Sequence, residues 1–197
     1  VTAIKNENTK STSLDISYGL GTKEIPFLIK TADDMHELSR KVLAGNPYKN
    51  YFFKVDEGVT ELYLGNFIPI GNNSNYFQGT FNGNGVNFIV DINTTQNYVG
   101  IFGALNNQAV IENFSVSGSI IGGTYVGAAA GYVNTATVRN IYNTADISGV
   151  QQIGGLIGQL YIGTLTNGFN LGSITGNNYV GGIVGYSMLA QRSAYST

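Results

Sequence analysis

The sequence contains no cysteine, which removes disulfides, thiolate metal sites and cysteine nucleophiles together. A single histidine, His36, leaves no second imidazole for a zinc site and no HExxH motif. No GxSxG-type turn is present to support a serine nucleophile. Charged residues make up only 11% of the chain and the formal net charge is −2, so neither nucleic acid nor an anionic membrane is expected as a partner. No apolar run approaches the ~18 residues needed to span a bilayer, so membrane insertion of this segment is not expected. The opening residues VTAIKNENTK also lack the charged-then-apolar pattern of a secretory signal.

What the chain does contain is glycine, 27 residues of it, set in a repeat. YVGAAAG (Tyr125 to Gly131), QIGGLIG (Gln152 to Gly158) and YVGGIVG (Tyr179 to Gly185) align without a gap at a spacing of 27 residues. Gly127, Gly154 and Gly181 form one column; Asn113, Asn140 and Asn167 form another; Ile120, Ile147 and Ile174 a third; Ile111, Val138 and Leu165 a fourth. A shorter copy, YVGIFG, begins at Tyr98. A fixed period of a few tens of residues marks stacked repeats, in which each unit buries its apolar face only against its neighbours. Every unit enters at the same point and runs the same way, so equivalent residues lie above one another, ~4.8 Å apart, in parallel sheets. The expected fold is an all-β parallel β-helix with 27-residue coils and one N-terminal capping α-helix. Asn113, Asn140 and Asn167 are expected to pass amide hydrogen bonds from coil to coil, and Glu112 and Arg139, also 27 apart, to form a lateral ion pair.

Ahead of the repeats the pattern is less regular. Residues 1–24 read as a linker or loosely ordered lead-in, and residues 25–197 as one β-helix domain. Within that domain, 25–97 hold the cap and first coils, 98–186 the repeats, and 187–197 either a degenerate last coil or the cut end of a longer protein. The helix is expected over 31–44: Thr31 as N-cap with Asp34 three residues on, Arg40 and Lys41 near the end, Met35, Leu38 and Val42 on one face, and Gly45 and Pro47 as the stop. Strands are expected over 25–30, 51–55 and 60–64, with Gly79, Gly83 and Gly85 punctuating a tight turn. Charge falls away along the chain, because after Gly100 only Glu112, Arg139, Asp146 and Arg192 remain.

Candidate chemistry is sparse. His36 reads as an exposed structural residue among polar neighbours. Paired carboxylates could serve polysaccharide cleavage, but Glu112 is expected to pair with Arg139, and Asp146 has Ser119 and Ser173 as column neighbours. Asp56, Glu57 and Glu61 read as a turn and strand edge. The glycine-rich GNG and IGGTYVG lack the lysine of a phosphate loop. No catalytic, cofactor-binding or metal residues are therefore assigned. Aromatics are the one feature with a functional alternative: Tyr125 and Tyr179, Tyr132 and Tyr186, and Tyr142 and Phe169 recur in register and could stack on sugar faces. Stacking between coils explains the same rings without a ligand.

QIGGLIG and YVGGIVG resemble the glycine-rich motif of bacterial GLUG-repeat proteins. GLGTKEIPFLIKTADDMHELSRKV and the FIPIG and FQGTFNGNG segments are similar to the region that precedes such repeats in secreted and surface-attached proteins, among them the N-terminal regions of immunoglobulin-A-cleaving metallopeptidases. The match covers about residues 19–186, and YVGAAAG departs from it by substituting alanine, which suggests a locally thinner core. The resemblance implies a right-handed parallel β-helix, an extracellular or cell-surface location, and a role in adhesion to a host surface protein or glycan; it carries no catalytic residues. The function expected is a non-enzymatic adhesion or ligand-presenting module. The alternatives are an accessory N-terminal region of a secreted metallopeptidase, and a carbohydrate-binding or polysaccharide-cleaving β-helix.

Overall fold

The structure, a computed structural model, describes residues 19–188 and the backbone of 190–196. Most of the lead-in segment, residues 1–18, and the side chains of the last residues lie outside what is described. Strand β1 (Phe27–Ile29) is followed by helix α1 (Ala32–Leu43), β2 (Phe52–Val55) and β3 (Glu61–Gly65). The coils continue with β4 (Thr80–Asn93), β5 (Phe102–Leu105), β6 (Val110–Ile121), β7 (Thr124–Val126) and β8 (Ala130–Asn143). The remainder comprises β9 (Asp146–Ser148), β10 (Gln151–Gly154), β11 (Ile157–Asn170), β12 (Ile174–Thr175), β13 (Asn178–Gly181), β14 (Val184–Ser187) and β15 (Ala190–Ser196).

The helix forms where its capping residues place it. The Thr31 side chain accepts from the Asp34 amide and the Asp34 side chain accepts from the Thr31 amide, a reciprocal capping box. Asp33 and Asp34 face the positive end of the helix, and Arg40 and Lys41 the negative end. Met35, Leu38 and Val42 are fully buried. The buried Ser39 hydroxyl donates to the Ile68 carbonyl at 2.7 Å, fixing the helix to the chain that follows β3. Strand β3 pairs with β4 on one edge and packs against α1. The helix therefore covers the first layer, where an open coil end would expose apolar interior and unpaired backbone groups.

Beyond the cap every strand pair is parallel, and the chain is a β-solenoid of about six turns. One sheet runs β1-β2-β4-β6-β8-β11-β14, and a smaller one stacks β7, β10 and β13. Registers in the repeat zone follow the repeat spacing: Ile111 lies opposite Val138, Val138 opposite Leu165, and Ile153 opposite Val126 and Val180. YVGIFG is the shorter copy that its sequence suggests. Val99 bridges Val126, one full period on, but Phe102 pairs with Ala130, already one position beyond that period. The alanines of YVGAAAG are fully buried, flanked by Ile101 and Phe102 on one side and by Leu156 and Ile157 on the other.

One expectation needs correction. Gly79, Gly83 and Gly85 do not close a tight turn between strands. Residues 80–93 are one strand with a bulge, where the register to β6 shifts between Asn82 and Val86. The last coil carries a further bulge, which sets Ala194 opposite Gly168 and leaves Asn167 without a paired position in β15.

Candidate functional site

The side wall of the solenoid is built by columns, and two of them share an unusual backbone. Asn113, Asn140 and Asn167 have φ of 60°, 55° and 51°, the left-handed region that asparagine tolerates better than most residues. Their amides form the expected ladder: Asn140 Nδ2 donates to Asn113 Oδ1 at 2.7 Å, and Asn167 Nδ2 to Asn140 Oδ1 at 2.9 Å. The ladder extends one rung further than the repeat suggests, because Asn113 Nδ2 donates to Asn82 Oδ1 at 3.2 Å. The bulge in β4 displaces Asn82 from the repeat spacing. A second ladder lies inside the coil. Asn143 Nδ2 donates to Asn170 Oδ1 at 2.7 Å, and each side chain also closes a turn on the backbone two residues later. These two asparagines are one period apart, so the spacing that finds the outer ladder would have found this one.

The other left-handed column holds Tyr98, Tyr125, Gln152 and Tyr179, with φ of 63°, 64°, 59° and 53°. Tyr98 and Tyr125 stack with ring centroids 4.7 Å apart. Tyr132 meets both edge-on, at 6.1 Å and 6.0 Å, and Tyr76 lies 6.5 Å from Tyr132. The hydroxyls of Tyr98 and Tyr132 are pushed above the ordinary tyrosine pKa, first by burial and then by neighbouring tyrosines. Tyr125 and Tyr179 share a column but do not meet, because Gln152 occupies the coil between them. Gln159 likewise separates Tyr132 from Tyr186. The rings therefore fall into two groups, with Tyr179 and Tyr186 in edge contact at 5.3 Å. Gln152 Oε1 is buried without a hydrogen-bond partner among the described residues. Tyr142 and Phe169 form a separate near-parallel stack, 5.4 Å apart and 4° between planes, in which Tyr142 is 40% exposed.

Among the carboxylates, Asp91 and Asp146 stand two rungs apart in one column with Ser119 between them. Glu112, nearly buried, takes the Arg139 guanidinium on one carboxylate oxygen. Asp146 accepts from the Ser173 amide at 2.9 Å, and the Ser119 hydroxyl donates to Asp91 at 2.8 Å. Glu57 pairs with Lys54 across the β2–β3 turn, while Glu61 opens β3 on the exposed side. Among the described residues, no three His, Cys, Asp or Glu side chains come together so as to hold a metal ion. His36 is exposed, with its ring edge against Phe67 at 5.2 Å.

A groove escaped sequence reasoning. It has a volume of about 340 Å³ and lies between the end of α1, the segment 66–72 and the segment 92–99, with Tyr98 in its wall. Segments 66–72 and 93–99 are one 27-residue period apart and lie on neighbouring coils, but Leu43 at the end of α1 belongs to no repeat, so periodicity alone does not bring it to them.

No family model matches the chain, and no solved structure matches it. Over 111 residues, 52% of this chain, it is 33% identical to a protein of Evansella cellulosilytica described as a Gly-rich membrane protein. The aligned stretch spans 12% of that relative's length. No helix among the described residues is long and apolar enough to cross a membrane.

Proposed function

We propose that the chain is a non-enzymatic extracellular β-helix module that presents a weakly charged, tyrosine-bearing wall to a host surface protein or glycan. The observation that carries this reading is the stack of Tyr142 on Phe169. Both rings stand on coils with a neighbour on either side, 5.4 Å apart and 4° from parallel, and Tyr142 stays 40% exposed. An exposed ring on the side wall of the stack is a group available to a partner, and aromatic rings are enriched where proteins bind. The relative's description as a membrane protein, and its much greater length, support a small module within a larger surface-displayed protein.

The test is binding of the chain to arrays of host matrix proteins and glycans. Tyr142→Ala removes the exposed ring and is expected to reduce capture at least fivefold with an unchanged circular dichroism spectrum. Arrays that stay blank while the chain depolymerises a polysaccharide would overturn the reading.

A further inference from the structure

We infer that the groove beside Tyr98 is a binding site for a neutral saccharide of one or two sugar units. Its size of about 340 Å³ falls at the lower end of the roughly 300–1,000 Å³ typical of small-molecule sites. None of the residues that line it is charged, so nothing there matches a phosphate, a carboxylate or an ammonium group. Its polar lining is dominated by carboxamides, among them Asn66, Asn72 and Asn97.

The orientation of these three amides is fixed by the backbone. Asn66 Oδ1 accepts from the Asn93 amide at 3.2 Å. Asn97 Oδ1 accepts from the Thr124 amide at 2.8 Å. Asn72 Oδ1 accepts from the amides of Ser74 and Asn75, both at 2.9 Å. A backbone N–H can meet only the oxygen of a carboxamide, which settles the choice between oxygen and nitrogen that otherwise has to be assigned. In each case the NH2 group is left over, without a partner among the described residues. Three oriented double donors therefore border one cavity, held by hydrogen bonds that exist before any ligand arrives.

Around the donors the lining is apolar. Phe67, Ile92 and Val99 are buried, while Ile68 is 62% exposed at the edge. Tyr98 adds its ring to the wall, held in place by Tyr125 and Tyr132. A pyranose has this dual character: one face of C–H bonds that packs on apolar and aromatic surface, and an edge of hydroxyl and acetamido oxygens that accept from amide NH2 groups. An extended peptide would instead call for alternating donors and acceptors along the groove. The inference deepens the adhesion reading by naming a ligand class, yet Tyr142 is not among the residues that line the groove.

The test titrates the chain with N,N′-diacetylchitobiose, cellobiose and lactose, following asparagine side-chain NH2 resonances by NMR. At least one disaccharide is expected to bind and to shift the NH2 signals of Asn66 and Asn97. Asn66→Asp and Asn97→Asp each keep the oxygen that holds the backbone but delete the donor, and each is expected to weaken binding at least tenfold with an unchanged circular dichroism spectrum. Leu171→Ala, an exposed residue outside the groove, should leave the affinity as it was. No binding by any of the three up to millimolar concentration, or binding indifferent to both asparagine variants, overturns the inference. Array capture that falls with Tyr142→Ala, with no disaccharide bound, would sustain adhesion and sink the groove. Disaccharide binding lost in Asn97→Asp, with blank surface arrays, would do the reverse.

Discussion

The two halves of the solenoid solve the same packing problem with different side chains. In the first, successive coils differ in length: Phe27 lies opposite Phe53, Phe53 opposite Phe81, and Phe81 opposite Ile111, so each step along the chain is longer than the one before. Its interior is a chain of phenylalanines, Phe53 to Phe77 to Phe102 to Phe81 to Phe114, with centroids 5.1–6.3 Å apart and planes inclined from 49° to 87°. In the second half the coils are equal, and Ile111, Val138 and Leu165 or Ile120 and Ile147 stand in columns, all buried. Unequal coils leave gaps of uneven shape, which a large planar ring can fill at many tilts. Equal coils repeat the same gap, which a branched aliphatic side chain fills each time in the same rotamer.

If this is why the halves differ, substitutions should hurt in opposite directions. Phe81→Ala, at the centre of the aromatic chain, is expected to destabilise by about 3–5 kcal/mol through the cavity it leaves. Ala129→Leu, in the tightly spaced alanine segment, should cost about 1–3 kcal/mol through overpacking. Urea denaturation of both variants checks the pair; a Phe81→Ala change milder than Ala129→Leu would break the comparison.

The outer ladder offers a sharper contrast, because strain and hydrogen bonding can be separated. Asn140→Gly removes two amide bonds but suits the left-handed backbone, and is expected to cost about 1–3 kcal/mol, since each net hydrogen bond contributes about 0.5–1.5 kcal/mol. Asn140→Ala should cost about 1 kcal/mol more, the penalty of a Cβ at φ 55°. Equal melting temperatures for the two variants would show that the backbone there relaxes and that the column carries no strain.

The smallest effect lies in the capped half. The Tyr48 hydroxyl is buried with no hydrogen-bond partner among the described residues, and burial first, then Glu37, pushes its pKa to about 12. Tyr48→Phe is expected to be neutral or stabilising by up to about 1 kcal/mol, because it deletes an unpaired polar group. The folded pKa lies above the unfolded value of about 10. Tyr48 therefore makes no demand on stability below pH 10, and disfavours folding progressively as pH rises from 10 towards 12. Comparing wild type and Tyr48→Phe across that window checks the sign: the advantage of the variant should grow with pH.

Legibility in the sequence follows the same division. The helix with its capping box, the parallel stacking, the Asn113–Asn140–Asn167 ladder and the Glu112–Arg139 pair were readable, because each rests on spacing or on a local signal. Asn82 was not, since the bulge in β4 moved it off the period. The aromatic columns were readable as columns, but Tyr125 and Tyr179 are two coils apart with Gln152 between them, a separation of two full periods that is plain in the order of the residues.

By itself the sequence determined what translation along the stack determines. When coils are equal in length, a residue's neighbours are the residues one period before and after it, so a count along the chain is a map of contacts. Tertiary structure alone decided the features that break this symmetry: the route of the aromatic chain through unequal coils, and the groove where the end of α1 and residues 66–72 meet residues 92–99. Segments 66–72 and 93–99 are one period apart, so the order of the residues puts them on neighbouring coils; it leaves no trace of the end of α1 closing over them, or of the bulges that make the aromatic coils unequal.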